Sequence, residues 1–147
     1  MYYKKKEWIR RFERIHQQFL SLMLDGKRYA DPACTPGKVA EEMGFSANYL
    51  TTVLKAHTGY SLQRLIYLLR AREACRQLRC DWAAAWSTEM VGLRCGFASR
   101  QAFHRIFRQE VGVTPLQFRK LTDEEARQCC RAIDEKLGFN LPAKADS

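Results

Sequence analysis

The stretch VGLRCGFASRQAFHRIFRQEVG (residues 91–112) reads as two short helices around a tight turn. Gly96 sits where the first helix must stop, a position that favours left-handed backbone. Ser99 can then accept a hydrogen bond from the free N–H groups that open the second. On a helical wheel Phe103, Ile106 and Phe107 fall on one side of that second helix, and Gln101, His104, Arg105 and Arg108 on the other. An apolar triplet that docks a helix, with a polar face left free, is the helix-turn-helix layout.

The same arrangement occurs once before. VAEEMGF (39–45) matches VGLRCGF (91–97), and SANYLTTVLKAHTG (46–59) matches SRQAFHRIFRQEVG (99–112), with Ala98 as the one extra residue of the second copy. Gly44 and Ser46 take the places of Gly96 and Ser99. Leu50, Val53 and Leu54 form the apolar side of the first copy's second helix; Asn48, Thr51, Thr52 and Lys55 form its polar side. These outward sets suit base edges. Arg can grip guanine O6 and N7, Asn or Gln can bracket adenine, and a Thr methyl can touch thymine.

The rest of the chain is also helical in period, and no strand-like alternation of useful length interrupts it, so the expected fold class is all-α. An amphipathic helix over about 5–24 carries Trp8, Ile9, Phe12, Ile15, Phe19, Leu22 and Met23. KRYADPACTPGK (27–38) reads as a loop before a short helix over 39–43. Between the two repeats, SLQRLIYLLRAREACRQLR (61–79) reads as a linker helix that changes its buried side midway. Leu62, Leu65, Ile66 and Leu69 lead on one face, followed by Tyr67, Ala71, Ala74, Cys75 and Leu78 on the other. Arg72, Arg76 and Arg79 group on one side of its latter half, solvated or against phosphate. Thr114-Pro115 opens a closing helix, and Thr122 with Glu125 forms a capping box for a helix over about 123–137. The expected organisation is therefore an N-terminal helix and loop (1–37), a first helix-turn-helix (38–60), a linker helix (61–80), a second helix-turn-helix with closing helix (81–120) and a C-terminal helical extension (121–147).

Of 25 basic and 16 acidic residues, residues 121–147 hold only four and six, so the excess of positive charge lies in the body before them. A basic body points to a polyanionic partner, nucleic acid first. Apolar runs break well short of the ~20 residues a membrane span needs, and no export signal opens the chain. A soluble cytoplasmic protein is expected. The six cysteines (Cys34, Cys75, Cys80, Cys95, Cys129, Cys130) include no C-x-x-C pair and have three histidines for company, which is not zinc spacing. Reduced thiols are expected and no metal or cofactor, with a thiol switch through Cys75, Cys80 or Cys95 as the alternative. No nucleophile–base pair or phosphate loop suggests an enzyme.

On the motifs VAEEMGFSANYLTTVLKAHTG, RAREACRQL and above all GFASRQAFHRIFRQEVGVTPLQFRK, the sequence resembles the DNA-binding domain of the AraC/XylS transcription regulators, from about Trp8 to Lys120. The resemblance implies two homeodomain-like helix-turn-helix subdomains on a long linker helix, seven helices in all. Their recognition helices (about 47–58 and 99–110) would enter successive major grooves on one face of double-stranded DNA, about 34 Å apart. Carried over residue by residue, Asn48, Thr51 and Thr52 become base readers in the first unit, and Arg100, Gln101, His104 and Arg105 in the second. Ser46, Lys55, Ser99 and Arg108 become phosphate contacts.

Two departures qualify this. Thr52 stands where many members carry Arg, which lightens the first unit's grip. CDWAAAWSTEM (80–90) is about three residues longer than usual, and would either alter the angle between units or extend the linker helix and pack Trp82 or Trp86 on the core. The expected regulator binds DNA as a monomer, unless the chain is the output piece of a longer protein, and works with RNA polymerase. The alternative is an interaction module of the same fold that modulates another regulator or the polymerase.

Overall fold

The computed structural model describes residues 2–139, with side chains from Lys6 onward; Met1 and residues 140–147 of the expected terminal segments lie outside that range. Among the described residues every regular element is a helix. The chain divides into two compact units, residues 1–66 and 67–147, and the boundary falls inside the linker helix.

In the first unit α1 (Tyr2–Leu24) buries Ile15, His16, Phe19, Leu20 and Met23. Trp8 and Ile9, expected on the same apolar face, are instead exposed. A 3-10 turn over Asp25–Ala30 follows, with Gly26 and Lys27 in left-handed backbone, and it buries Tyr29. The segment expected to be all loop is thus partly ordered. Its helix, α2 (Pro36–Met43), also begins three residues earlier than expected. The reason is local: Thr35 Oγ1 accepts from the Lys38 N–H at 3.3 Å, and Pro36 takes the first helical position, where its missing N–H costs nothing. α3 (Ala47–Thr58) packs on α1 and α2.

The linker helix α4 (Leu62–Leu78) does not change its buried side midway; it is covered nearly all round, and Arg76 is its one exposed residue. Leu68 and the polar Arg70, Glu73 and Gln77 are buried along with the expected apolar positions. Glu73 is matched locally, accepting from Arg76 and from Gln77 Nε2 at 2.8 Å. Nor does α4 continue into the Trp-rich segment. It ends at Leu78, Cys80 is extended, and Asp81–Ala83 forms a single 3-10 turn. Ala83, rather than Trp82 or Trp86, fills the core position. The tryptophans meet edge to face at 5.1 Å, and the Arg94 guanidinium lies 4.4 Å over the Trp86 ring.

In the second unit α5 (Thr88–Arg94), α6 (Arg100–Val111), α7 (Pro115–Arg119) and α8 (Asp123–Leu137) follow. Phe97, Phe103, Phe107 and Phe118, all buried, form a ladder of ring contacts at 5.0, 5.6 and 5.7 Å. Burying a ring of this size stabilises by about 2–3 kcal/mol. Thr114 and Gln117 complete one capping box, and Thr122 and Glu125 another. Two of the three arginines expected on a solvated face are instead held by α8 and the chain leading into it. Arg72 Nε donates to Asp134 at 2.7 Å, and Arg79 donates to the Phe118 and Leu121 carbonyls and to Asp123. Arg76 remains exposed and pairs with Glu73 of its own helix.

Candidate nucleic-acid interface

Each unit holds the helix–turn–helix that the repeat predicts, and each builds it in the same way. In the first, α2 is closed by Gly44 at φ 83°, in the left-handed region that a side chain would strain. Ser46 then caps α3, its Oγ accepting from the Tyr49 N–H at 3.1 Å. In the second, Gly96 stands at φ 104° after α5, and Ser99 Oγ accepts from the Ala102 N–H at 3.0 Å. α3 and α6 each run twelve residues and are followed by a left-handed glycine, Gly59 or Gly112.

The apolar triplets seat these helices. Leu50, Val53 and Leu54 are buried, as are Phe103, Ile106 and Phe107. Opposite them, Asn48, Thr52 and Lys55 are exposed on α3, and Thr51 is half-buried. On α6 Arg100, Gln101, His104, Arg105 and Arg108 are all exposed. Among the described residues these α6 side chains have no hydrogen bond or ion pair, in contrast to Arg70, Arg72, Arg76 and Arg79 of α4. A guanidinium left in water on a rigid helix keeps its forked donors available for an external acceptor.

Ser46 is exposed and Ser99 half-buried. Each hydroxyl oxygen is already an acceptor for the cap, so what remains is its O–H donor, placed at a helix N-terminus where an anion is favoured. Tyr49 was not singled out from sequence. It is 36% exposed, one turn before Thr52, with its ring 5.2 Å from Phe45; its place beside Thr52 on the wheel is the signal that could have found it. His16 is buried and meets the exposed His57 edge-on at 5.1 Å, so the pair joins α1 to α3.

The back of α6 is braced. Glu110, buried, lies 3.4 Å from Lys136 Nζ on α8. No helix among the described residues is long and apolar enough to cross a membrane.

A family model described as a helix-turn-helix domain matches residues 39–121. The HTH-type transcriptional activator RhaS of Salmonella schwarzengrund is 32% identical over 97 residues, covering 66% of this chain and 34% of that protein. The RhaS of Salmonella arizonae is 33% identical over 95 residues, 65% of this chain and 33% of its own length. The chain thus spans about a third of the length of these relatives. Among solved structures, the C-terminal domain of AraT, a response regulator from Geobacillus stearothermophilus, aligns with a TM-score of 0.60 at 23% identity, over 76% of this chain and 88% of that one. A Listeria innocua protein whose function is unknown aligns at 0.61 with 18% identity, over 71% and 93%. At these identities the two structures speak for the fold alone.

Proposed function

The chain belongs to the AraC-type helix-turn-helix family of DNA-binding transcription regulators, and from that premise we propose that it reads an asymmetric DNA site with α3 and α6 in successive major grooves. The observation that carries this reading is the duplicated construction: left-handed glycine, serine cap and buried triplet, with a free polar face opposite each triplet. In this reading Arg105 grips guanine, and Arg100, Gln101 and His104 read neighbouring base edges. Asn48, Thr51 and Thr52 read the other half-site, with adenine and thymine as the matching bases. Ser46, Lys55, Ser99 and Arg108 hold phosphates and set the register. Two non-identical units in one chain make a symmetric dimer unnecessary, so binding is monomeric, and contact with RNA polymerase converts it into regulation.

The weight lies on α6. It carries three arginines on its exposed face, whereas the α3 face has Lys55 as its one charge. That imbalance favours a second reading as well, in which the domain docks on another regulator or the polymerase and touches DNA only weakly. A salt titration of binding separates the two. Specific reading with Lys55 and Arg108 as the charged phosphate contacts gives a log–log slope of about −2 and a large preference over random DNA. Indifference to sequence supports the docking module.

A further inference from the structure

Cys75 and Cys130 are far apart in sequence, and two ion pairs bring them together. Arg72 and Arg79 stand on either side of Cys75 on α4, and reach Asp134 at 2.7 Å and Asp123 at 2.6 Å on α8. These pairs run α8 antiparallel to α4 and set Cys130, one turn before Asp134, opposite Cys75. The two thiols line one cleft of about 420 Å³ and act on each other's ionisation across it. Cys75 is 1% exposed and Cys130 is half-buried, so a reagent in the cleft meets Cys130 first. Arg76, Arg79, Arg127 and Arg131 line the same cleft, against Asp123 and Asp134.

We propose that Cys130 and Cys75 form a reversible dithiol–disulfide site, with Cys130 attacking and Cys75 resolving, served by an anionic small-molecule disulfide drawn in by the cleft arginines. The Cys130 thiolate attacks one sulfur of the disulfide RSSR, forming a mixed disulfide and releasing RS⁻. Cys75 then gives up its proton and attacks the Cys130 sulfur, forming the Cys75–Cys130 bond and releasing the second RS⁻. Two protein thiols are oxidised and one RSSR is reduced to two RSH. The hydrogen bond from Cys75 outweighs burial and holds the Cys130 thiol down at about 7, while the same hydrogen bond, then burial, push Cys75 well up. This ordering suits an attacker and a resolver. The bond clips α8 to α4; since α8 also braces α6 through Lys136 and Glu110, the clip reaches the recognition helix.

Cys75 is thus retained from the expected thiol switch, with Cys130 as its partner in the cleft in place of Cys80 or Cys95. Cys95 is fully buried, and Cys80 lies beside Arg76 at 3.6 Å.

The test is peptide mapping of the intact chain after incubation with oxidised glutathione, and it reads sulfur whether or not the chain binds DNA. The expected products are a glutathione adduct on Cys130 and then a Cys75–Cys130 crosslink that dithiothreitol reverses. Cys75→Ser should stop at the adduct, and Cys129→Ser should still form the crosslink. Oxidised glutathione should react several-fold faster than the cationic disulfide cystamine at low salt. Adducts confined to Cys34 or Cys129, or a Cys129–Cys130 crosslink, would overturn the pairing. Equal rates for the two disulfides would overturn the role of the arginines.

Discussion

The ring of Phe103 lies so close across Gly92 that a Cβ placed on Gly92 would stand 2.4 Å from two of its carbons. α5 and α6 therefore meet at a distance only glycine allows. In the first unit the corresponding residues are Ala40 and Leu50, both buried, so a slightly larger residue on one helix goes with a smaller one on the other.

Gly92→Ala is accordingly expected to destabilise by ~1–3 kcal/mol through overpacking. In an open helix the same change would stabilise by ~1 kcal/mol, so the sign of the shift in denaturant midpoint is diagnostic. Adding Phe103→Leu, which copies the first unit's pair, should recover part of the loss. A double mutant that is merely additive removes the contact from the explanation.

Arg79 is worth more than its position on a helix surface suggests. It donates to the Phe118 carbonyl at 3.1 Å and the Leu121 carbonyl at 2.9 Å, besides pairing with Asp123. Arg79→Ala strands the Leu121 carbonyl, while the Phe118 carbonyl keeps the Leu121 N–H, and should cost ~1–3 kcal/mol, with faster amide exchange along α8. Arg100→Ala, exposed on α6 and with no partner to strand, should change stability by under ~0.5 kcal/mol. Equal effects would show that α8 is not held this way.

The Cys130 thiol gives a pH signature. Its hydrogen bond from Cys75 lowers it to about 7, with Arg72 and Arg79 aiding and burial and Asp134 opposing. Cys129, beside it, is raised by burial. The thiolate is the reactive form, so iodoacetamide labelling of Cys130 should rise through about pH 7 and labelling of Cys129 only at higher pH. Cys75→Ala should move the Cys130 midpoint upward. An unmoved midpoint would deny the hydrogen bond its effect.

At the proposed interface Arg105 and Arg108 should differ in kind. Arg105→Ala is expected to cost ~1–3 kcal/mol and relax preference at one base position. Arg108→Ala should weaken all DNA sequences alike and reduce the salt slope by about 1. Binding titrations on single-base variants of a selected site decide it; uniform loss from Arg105→Ala demotes it to a phosphate contact.

Much of this architecture is legible in sequence because it is local. Gly44, Gly96, Ser46 and Ser99 act within a few residues of themselves, so their roles in turn and cap can be read from type and spacing. The bounds of α3 follow for the same reason, and those of α6 to within one residue. Thr35-Pro36 carries the same kind of signal as Thr114-Pro115, yet Pro32 and Gly37 nearby make the segment read as loop. What was not legible depends on distant partners. Arg72 and Arg79 look solvated until α8 is placed beside them. Cys75 cannot be matched to Cys130 without the register of two helices. Trp82 shows that large apolar residues are not always core: a turn closed by Ala83 left it outside, against Trp86.

The central claim is tested most directly by selecting fragments from random double-stranded DNA with this chain and titrating the enriched site against salt. The account predicts an asymmetric consensus with two half-sites about one helical turn apart, bound ~10³-fold or more above random DNA, with affinity falling steeply as salt rises. Failure to enrich any sequence, with equal affinity for selected and random DNA, would contradict it.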